Sequence, residues 1–124
     1  MKVKPFKVTI NDLTKGFEDN DNDGVIGLNG KLDIRPPYQR EFIYGEVERK
    51  AVIDTVLKGF PLNVMYWAVR DDGNYEIIDG QQRTISICQF VKNIFSYDGK
   101  LFRSFREKQK DILNYPLSVY LCSG

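Results

Sequence analysis

Between Val64 and Asn93 the chain passes through two apolar stretches and a helical pattern, with one four-residue turn as the only spacer. Val64-Met65-Tyr66-Trp67-Ala68-Val69 is apolar at every position and reads as a central strand, covered on both faces. Asp71-Asp72-Gly73-Asn74 has the composition of a hairpin turn, and Tyr75 to Ile78 returns as the partner strand. The helical pattern then starts at Gly80 and runs to Asn93, with Thr84, Ile87, Cys88 and Val91 as its buried stripe. Such a hairpin must set the end of a strand and the start of a helix at one point. Asp79, Gly80, Gln81, Gln82 and Arg83 occupy that corner.

Two readings of the corner stand side by side. Helix starts leave backbone N–H groups unpaired and carry the positive end of the helix dipole, which suits an anion such as a phosphate. Asp79 and Gln82 also have Asp-x-x-Gln capping-box spacing, which would account for both of them structurally. Capping does not account for Gly80, Gln81 and Arg83. An arginine in the first turn opposes the dipole unless an anion sits there. Cys88, inside the apolar stripe, reads as a small core residue rather than a nucleophile.

Composition removes several function classes. The 124 residues, 42% of them hydrophobic, suggest one domain with a true core. Net charge is +1, so any polyanion binding is local. Histidine is absent, which excludes a Ser-His-Asp triad and histidine metal ligation. Cys88 and Cys122 are isolated, the pattern of a reduced, cytoplasmic protein. No apolar run approaches the ~18 residues of a membrane span, and the N-terminus is too polar for a signal peptide.

The remaining chain is expected to serve as frame. Lys2 to Ile10 reads as an edge strand with Pro5 near its start. Gly16 to Gly30 reads as an acidic loop. Within it, Asp19, Asp21, Asp23 and Gly24 match positions 1, 3, 5 and 6 of an EF-hand calcium loop, but position 12 is Gly30 instead of a bidentate Glu. The expectation is a solvated hairpin or insertion loop, at which calcium would bind weakly. Lys31 to Ile34 reads as a short strand, and Pro36-Pro37 stiffens the turn that carries Tyr38, Gln39 and Arg40. Those three suit base stacking or phosphate contact; the alternative is that Tyr38 packs on the core and Arg40 pairs with an acid.

Gly45 to Phe60 has helical spacing at Ile53, Val56, Leu57 and Phe60, with Gly59 and Pro61 as a stop signal. Phe95 to Phe102 turns about Asp98-Gly99. Ser104 to Glu107 has capping-box spacing ahead of a polar helix reaching Asn114, and Arg103, Arg106, Lys108 and Lys110 make that region basic. Pro116 to Leu121 reads as a last strand, and the chain is expected to be the front part of a longer protein.

Three blocks together resemble a known family. They are Ile34-Arg35-Pro36-Pro37-Tyr38-Gln39-Arg40, Leu57-Lys58-Gly59-Phe60-Pro61-Leu62 and Ile78-Asp79-Gly80-Gln81-Gln82-Arg83. Their order and spacing, across residues 31–121, are similar to the N-terminal domain of GmrSD-type restriction enzymes, in the ParB/sulfiredoxin-like superfamily. The resemblance implies an α+β fold, with a small mixed sheet and packed helices, across a single domain 1–124 in which 16–30 is an acidic loop insertion.

The resemblance further implies binding and hydrolysis of a nucleoside triphosphate with Mg²⁺, coupled to DNA cleavage in phage defence by a separate C-terminal domain. Carried onto this chain, it places Asp79, Gly80, Gln81, Gln82 and Arg83 in the nucleotide site. On physical grounds Asp79, Gln82 and Arg83 are then expected to be catalytic, with Asp79 holding Mg²⁺ or orienting the attacking water. Gly80, Gln81, Arg83, Tyr38, Gln39 and Arg40 would bind nucleotide. The alternative is a non-catalytic nucleotide- or DNA-binding sensor or interaction domain.

Overall fold

The computed structural model describes residues 1–37 and 44–124. The expected contacts of Tyr38, Gln39 and Arg40 lie outside the described residues. The fold is α+β, as expected: seven strands form one mixed sheet among the described residues, with four α-helices. The strands are β1 (Lys2–Thr9), β2 (Glu18–Asp19), β3 (Val25–Gly27), β4 (Leu32–Arg35), β5 (Met65–Val69), β6 (Tyr75–Asp79) and β7 (Pro116–Ser123). The helices are α1 (Ile10–Thr14), α2 (Glu46–Leu57), α3 (Gln81–Val91) and α4 (Gln109–Leu113). Sheet order is β1-β7-β5-β6-β4-β3-β2.

The expected hairpin forms the middle of this sheet. β5 and β6 pair antiparallel around a turn in which Gly73 takes φ +85°. Their outer neighbours are parallel: β7 on β5, and β4 on β6. β7 is antiparallel to β1 from Lys2↔Ser123 to Thr9↔Pro116, so the last strand lies between the first strand and the hairpin. β1 is an edge strand, as its alternation suggests.

β5 is central but not buried on both faces. Met65 and Trp67 are buried while Tyr66 is exposed, and Tyr66 meets the exposed Tyr120 of β7 with ring centroids 5.7 Å apart. The sheet is therefore one-sided at this point, and alternation is the relevant pattern. On the inner side Trp67, fully buried, contacts Phe6 and Tyr75 at 6.1 and 5.6 Å between centroids. Aromatic pairs at these separations stabilise a core beyond their buried area.

Of the two expected forms, hairpin or insertion loop, the acidic segment takes the hairpin. Glu18–Asp19 and Val25–Gly27 pair as a short hairpin that extends the sheet beyond β4. Val25 is buried, and a Cβ on Gly27 would come within 2.9 Å of the Leu13 carbonyl oxygen. What turn-rich composition did not show is that this hairpin joins the sheet, through the pairing of β3 with β4.

α2 ends as its sequence signals: Gly59 takes φ +70° and Phe60 N donates to the Thr55 carbonyl. Its buried face is Val52, Ile53 and Val56, while Phe60 lies past the helix and is exposed. α3 buries the expected Thr84, Ile87 and Cys88, together with Ile85, Ser86 and Phe90; Val91 is partly buried. The Asp98-Gly99 turn forms, closed by reciprocal Tyr97 and Lys100 backbone bonds. The Ser104–Glu107 capping box does not. A 3₁₀ turn takes Phe102–Ser104, and α4 starts later, at Gln109, behind Lys108 with no side-chain cap.

Candidate functional site at the β6–α3 corner

The corner is built by a β-bulge and a glycine. Tyr66 pairs with Asp79 but Trp67 pairs with Ile77, so β6 carries one extra residue, Ile78. Bulges re-aim side chains where a strand ends. Here Ile78 is 58% exposed and the Asp79 side chain 66% exposed. Gly80 follows with φ +111° and ψ 15°, a left-handed conformation that lets the chain enter α3 without a spacer. A Cβ at this position would lie 2.6 Å from Met65 Cγ and 2.9 Å from its Sδ.

This geometry overturns the capping-box reading. Asp79 is still strand, and the N-cap position belongs to Gly80, which has no side chain to offer. No side chain caps α3. Gln82 is engaged elsewhere: its Oε1 accepts the Tyr44 N–H at 2.9 Å, tying the segment ahead of α2 to α3. Thr84 and Ser86 turn back into the helix, their hydroxyls donating to the carbonyls of Gly80 and Gln82 at 2.9 and 2.8 Å.

Arg83 points along the corner into the loop after α2. Its Nη1 donates to the Asn63 carbonyl at 2.8 Å, its Nη2 approaches the Val64 carbonyl at 3.5 Å, and Nη2 lies 3.6 Å from Asp79 Oδ2. The Arg83 side chain is only 14% exposed. Arg83 therefore joins the end of β6, the first turn of α3 and the loop leading into β5. A guanidinium has five N–H donors, so these contacts leave donors for a ligand.

Behind Arg83 a cleft of about 550 Å³ opens between that loop, α3, α4 and the start of β7. Met65, Leu62, Ile87 and Leu117 line it with apolar surface, and Lys7, Asp111 and Asn114 bring polar groups to it. Tyr115 fixes one wall. Its hydroxyl donates to the Phe60 carbonyl at 2.5 Å and accepts the Leu62 N–H at 3.1 Å. Burial pushes its phenol pKa above the ordinary value. Sequence reasoning did not assign this cleft. The Leu57–Leu62 block was its one signal, since that block runs into the loop that Arg83 and Tyr115 hold.

The other candidate groups lie apart. Asp19 Oδ1 accepts the Asp21 N–H at 3.0 Å, and Arg35 Nη2 donates to the Asp21 carbonyl at 2.7 Å and lies 3.8 Å from Asp19. A cation thus sits among the groups that a calcium ion would need. Among the described residues no group of three or more His, Cys, Asp or Glu side chains could hold a metal ion. Cys88 is fully buried and its thiol pKa is pushed up to about 12 by that burial, as a core residue rather than a nucleophile requires. Arg103, Arg106, Lys108 and Lys110 are all exposed. No helix among the described residues is long and apolar enough to cross a membrane.

Neither the curated proteins nor the solved structures give a match to this chain. The family model for the GmrSD restriction endonuclease, N-terminal domain, does match, over residues 15–120. The matched span takes in the edge hairpin, the loop that lines the cleft, and the whole β6–α3 corner. The chain belongs to the family of GmrSD restriction endonuclease N-terminal domains.

Proposed function

We propose that this domain binds and hydrolyses a nucleoside triphosphate at the β6–α3 corner, as the control module of a cytoplasmic DNA-targeting restriction or phage-defence protein. The observation that carries the reading is the start of α3. In a chain of this family, the helix begins at a left-handed glycine with no side-chain cap, beside an exposed carboxylate. Main-chain donors and the helix dipole at such a start favour phosphate oxygens.

The residues divide the work by what their side chains already touch. Main-chain N–H groups of Gly80 to Gln82 cradle phosphate. Arg83, held by two carbonyls, offers its remaining donors to the same oxygens. Gln81 and the amide nitrogen of Gln82 orient the attacking water. Tyr38, Gln39 and Arg40 complete the nucleotide site, with Arg40 offsetting charge as the phosphoryl group transfers. One exposed carboxylate suits Mg²⁺, which takes one or two protein carboxylates alongside substrate phosphates, so Asp79 is the residue to hold it. When bound, the ion neutralises charge on the phosphates. DNA is engaged through a further domain.

Nucleotide titration followed by phosphate release tests this reading, with Asp79→Ala as the comparison. Hydrolysis that falls about a hundredfold in Asp79→Ala is expected. Equal hydrolysis in parent and variant would remove Asp79 from the mechanism. Tight binding without turnover would instead make the domain a nucleotide sensor, and no binding of nucleotide or DNA an interaction domain. The sensor reading has one observation in its favour, because Arg83 and Gln82 both already hold the fold.

A further inference from the structure

The corner and the cleft behind it share two side chains. Met65 presses on Gly80 and also lines the cleft, and Arg83 closes the corner on one side while it lines the cleft on the other. A ligand whose phosphates lie at Gly80 has this cleft on the far side of Met65 and Arg83. At about 550 Å³ it falls within the size range of small-molecule sites. Its surface is mostly apolar, which suits a flat heterocycle.

The polar groups at the cleft are of three different kinds. Lys7 offers donors, Asp111 offers acceptors and Asn114 offers both. None of the three makes a side-chain hydrogen bond or ion pair among the described residues. Asp111 and Asn114 are exposed, on and just after the last turn of α4, and both border the cleft. A nucleobase edge carries donors and acceptors side by side and needs this mixture.

We propose that the cleft bounded by the 59–63 loop, α4 and the start of β7 holds the base of the nucleotide, with Asp111 and Asn114 selecting which base is accepted. This rests on the nucleotide reading above and adds a specificity site to it. A base that bonds the Asp111 carboxylate must present N–H donors, so the site favours bases with an exocyclic amino group. Lys7, across the cleft on β1, meets acceptors on the base or sugar.

Calorimetric titration of the chain with ATP, GTP, CTP and UTP, and with inorganic tripolyphosphate, each with Mg²⁺, tests it. The parent is expected to bind one nucleotide about tenfold or more tightly than tripolyphosphate. Asp111→Asn and Asn114→Ala, both at exposed positions and so compatible with folding, should each weaken that nucleotide about tenfold and change the order of the four. Their affinity for tripolyphosphate should stay at the parent's value. If the parent binds tripolyphosphate as tightly as every nucleotide, or if both variants keep the parental order, the base pocket is wrong while the phosphate site stands. If the parent binds neither tripolyphosphate nor nucleotide, the phosphate site and the base pocket fall together.

Discussion

Gly80 shows how narrowly one residue can be fixed. Its φ of +111° and the 2.6 Å approach of Met65 both exclude a side chain. Gly80→Ala is expected to cost about 1–3 kcal/mol in urea unfolding. Gly73→Ala, at φ +85° with open space around it, carries the conformational cost alone and should lose less. A loss in Gly80→Ala no larger than in Gly73→Ala would show that Met65 simply moves aside. The two thiols make a second contrast. Cys88, buried with its pKa near 12, remains protonated at pH 8, whereas Cys122 is partly exposed. A thiol reagent should modify only Cys122 in the native protein and both cysteines in denaturant. The role of Cys88 was legible in the sequence because helical spacing alone decides it. The role of Gln82 was not, since its partner Tyr44 lies 38 residues away.

Among elements, the joints between neighbours were the least legible. The β5–β6 hairpin and the stripe of α3 are local patterns and can be read from spacing. The Asp79–Gln82 and Ser104–Glu107 pairs have capping spacing too, yet neither caps. A backbone event intervenes each time, a left-handed glycine in one case and a 3₁₀ turn in the other. Arg83 joins α3 to the loop before β5 through Asn63 and Val64. Arg83→Lys keeps the charge but loses the fork, and is expected to destabilise by about 1 kcal/mol. Proteolysis in the 59–64 loop should quicken with it; an unchanged rate would mean that Tyr115 alone holds the loop.

α2 is joined to the 97–100 turn by Tyr97, whose hydroxyl donates to Asp54 Oδ1 at 2.5 Å. That bond pushes the Tyr97 pKa from 10 up to about 12. A raised folded-state pKa gives stability that is present below pH 10 and lost as pH rises towards 12. Asp54, bonded to Lys58 and Tyr97, is shifted below its ordinary 3.8, so its share is present above that pH and lost in acid. Tyr97→Phe should therefore flatten the alkaline fall in stability between pH 10 and 12. An identical fall in parent and variant would rule out this bond as its source.

For the whole molecule, sequence signals located most strands but not their order. Lys2 to Ile10 and Pro116 to Leu121 were legible as strands, and nothing local says that β7 enters between β1 and β5. A hairpin at Glu18–Asp19 and Val25–Gly27 was one of two forms legible in the acidic segment, but its place at the sheet edge was not, because a two- or three-residue strand is defined by its partner. The family match spans residues 15–120, yet the strand that joins the first-made strand to the hairpin reaches Ser123. That arrangement has a consequence for synthesis. As the chain leaves the ribosome, β1 emerges first and β5 later, and the slot between them stays empty until residues 116–123 appear. Until then β5 exposes an unpaired edge along Met65–Ala68, beside the β6–α3 corner. Nascent chains stopped before Pro116 should thus be protease-sensitive and ready to pair with one another, and the native sheet should lock only when the last strand slides home.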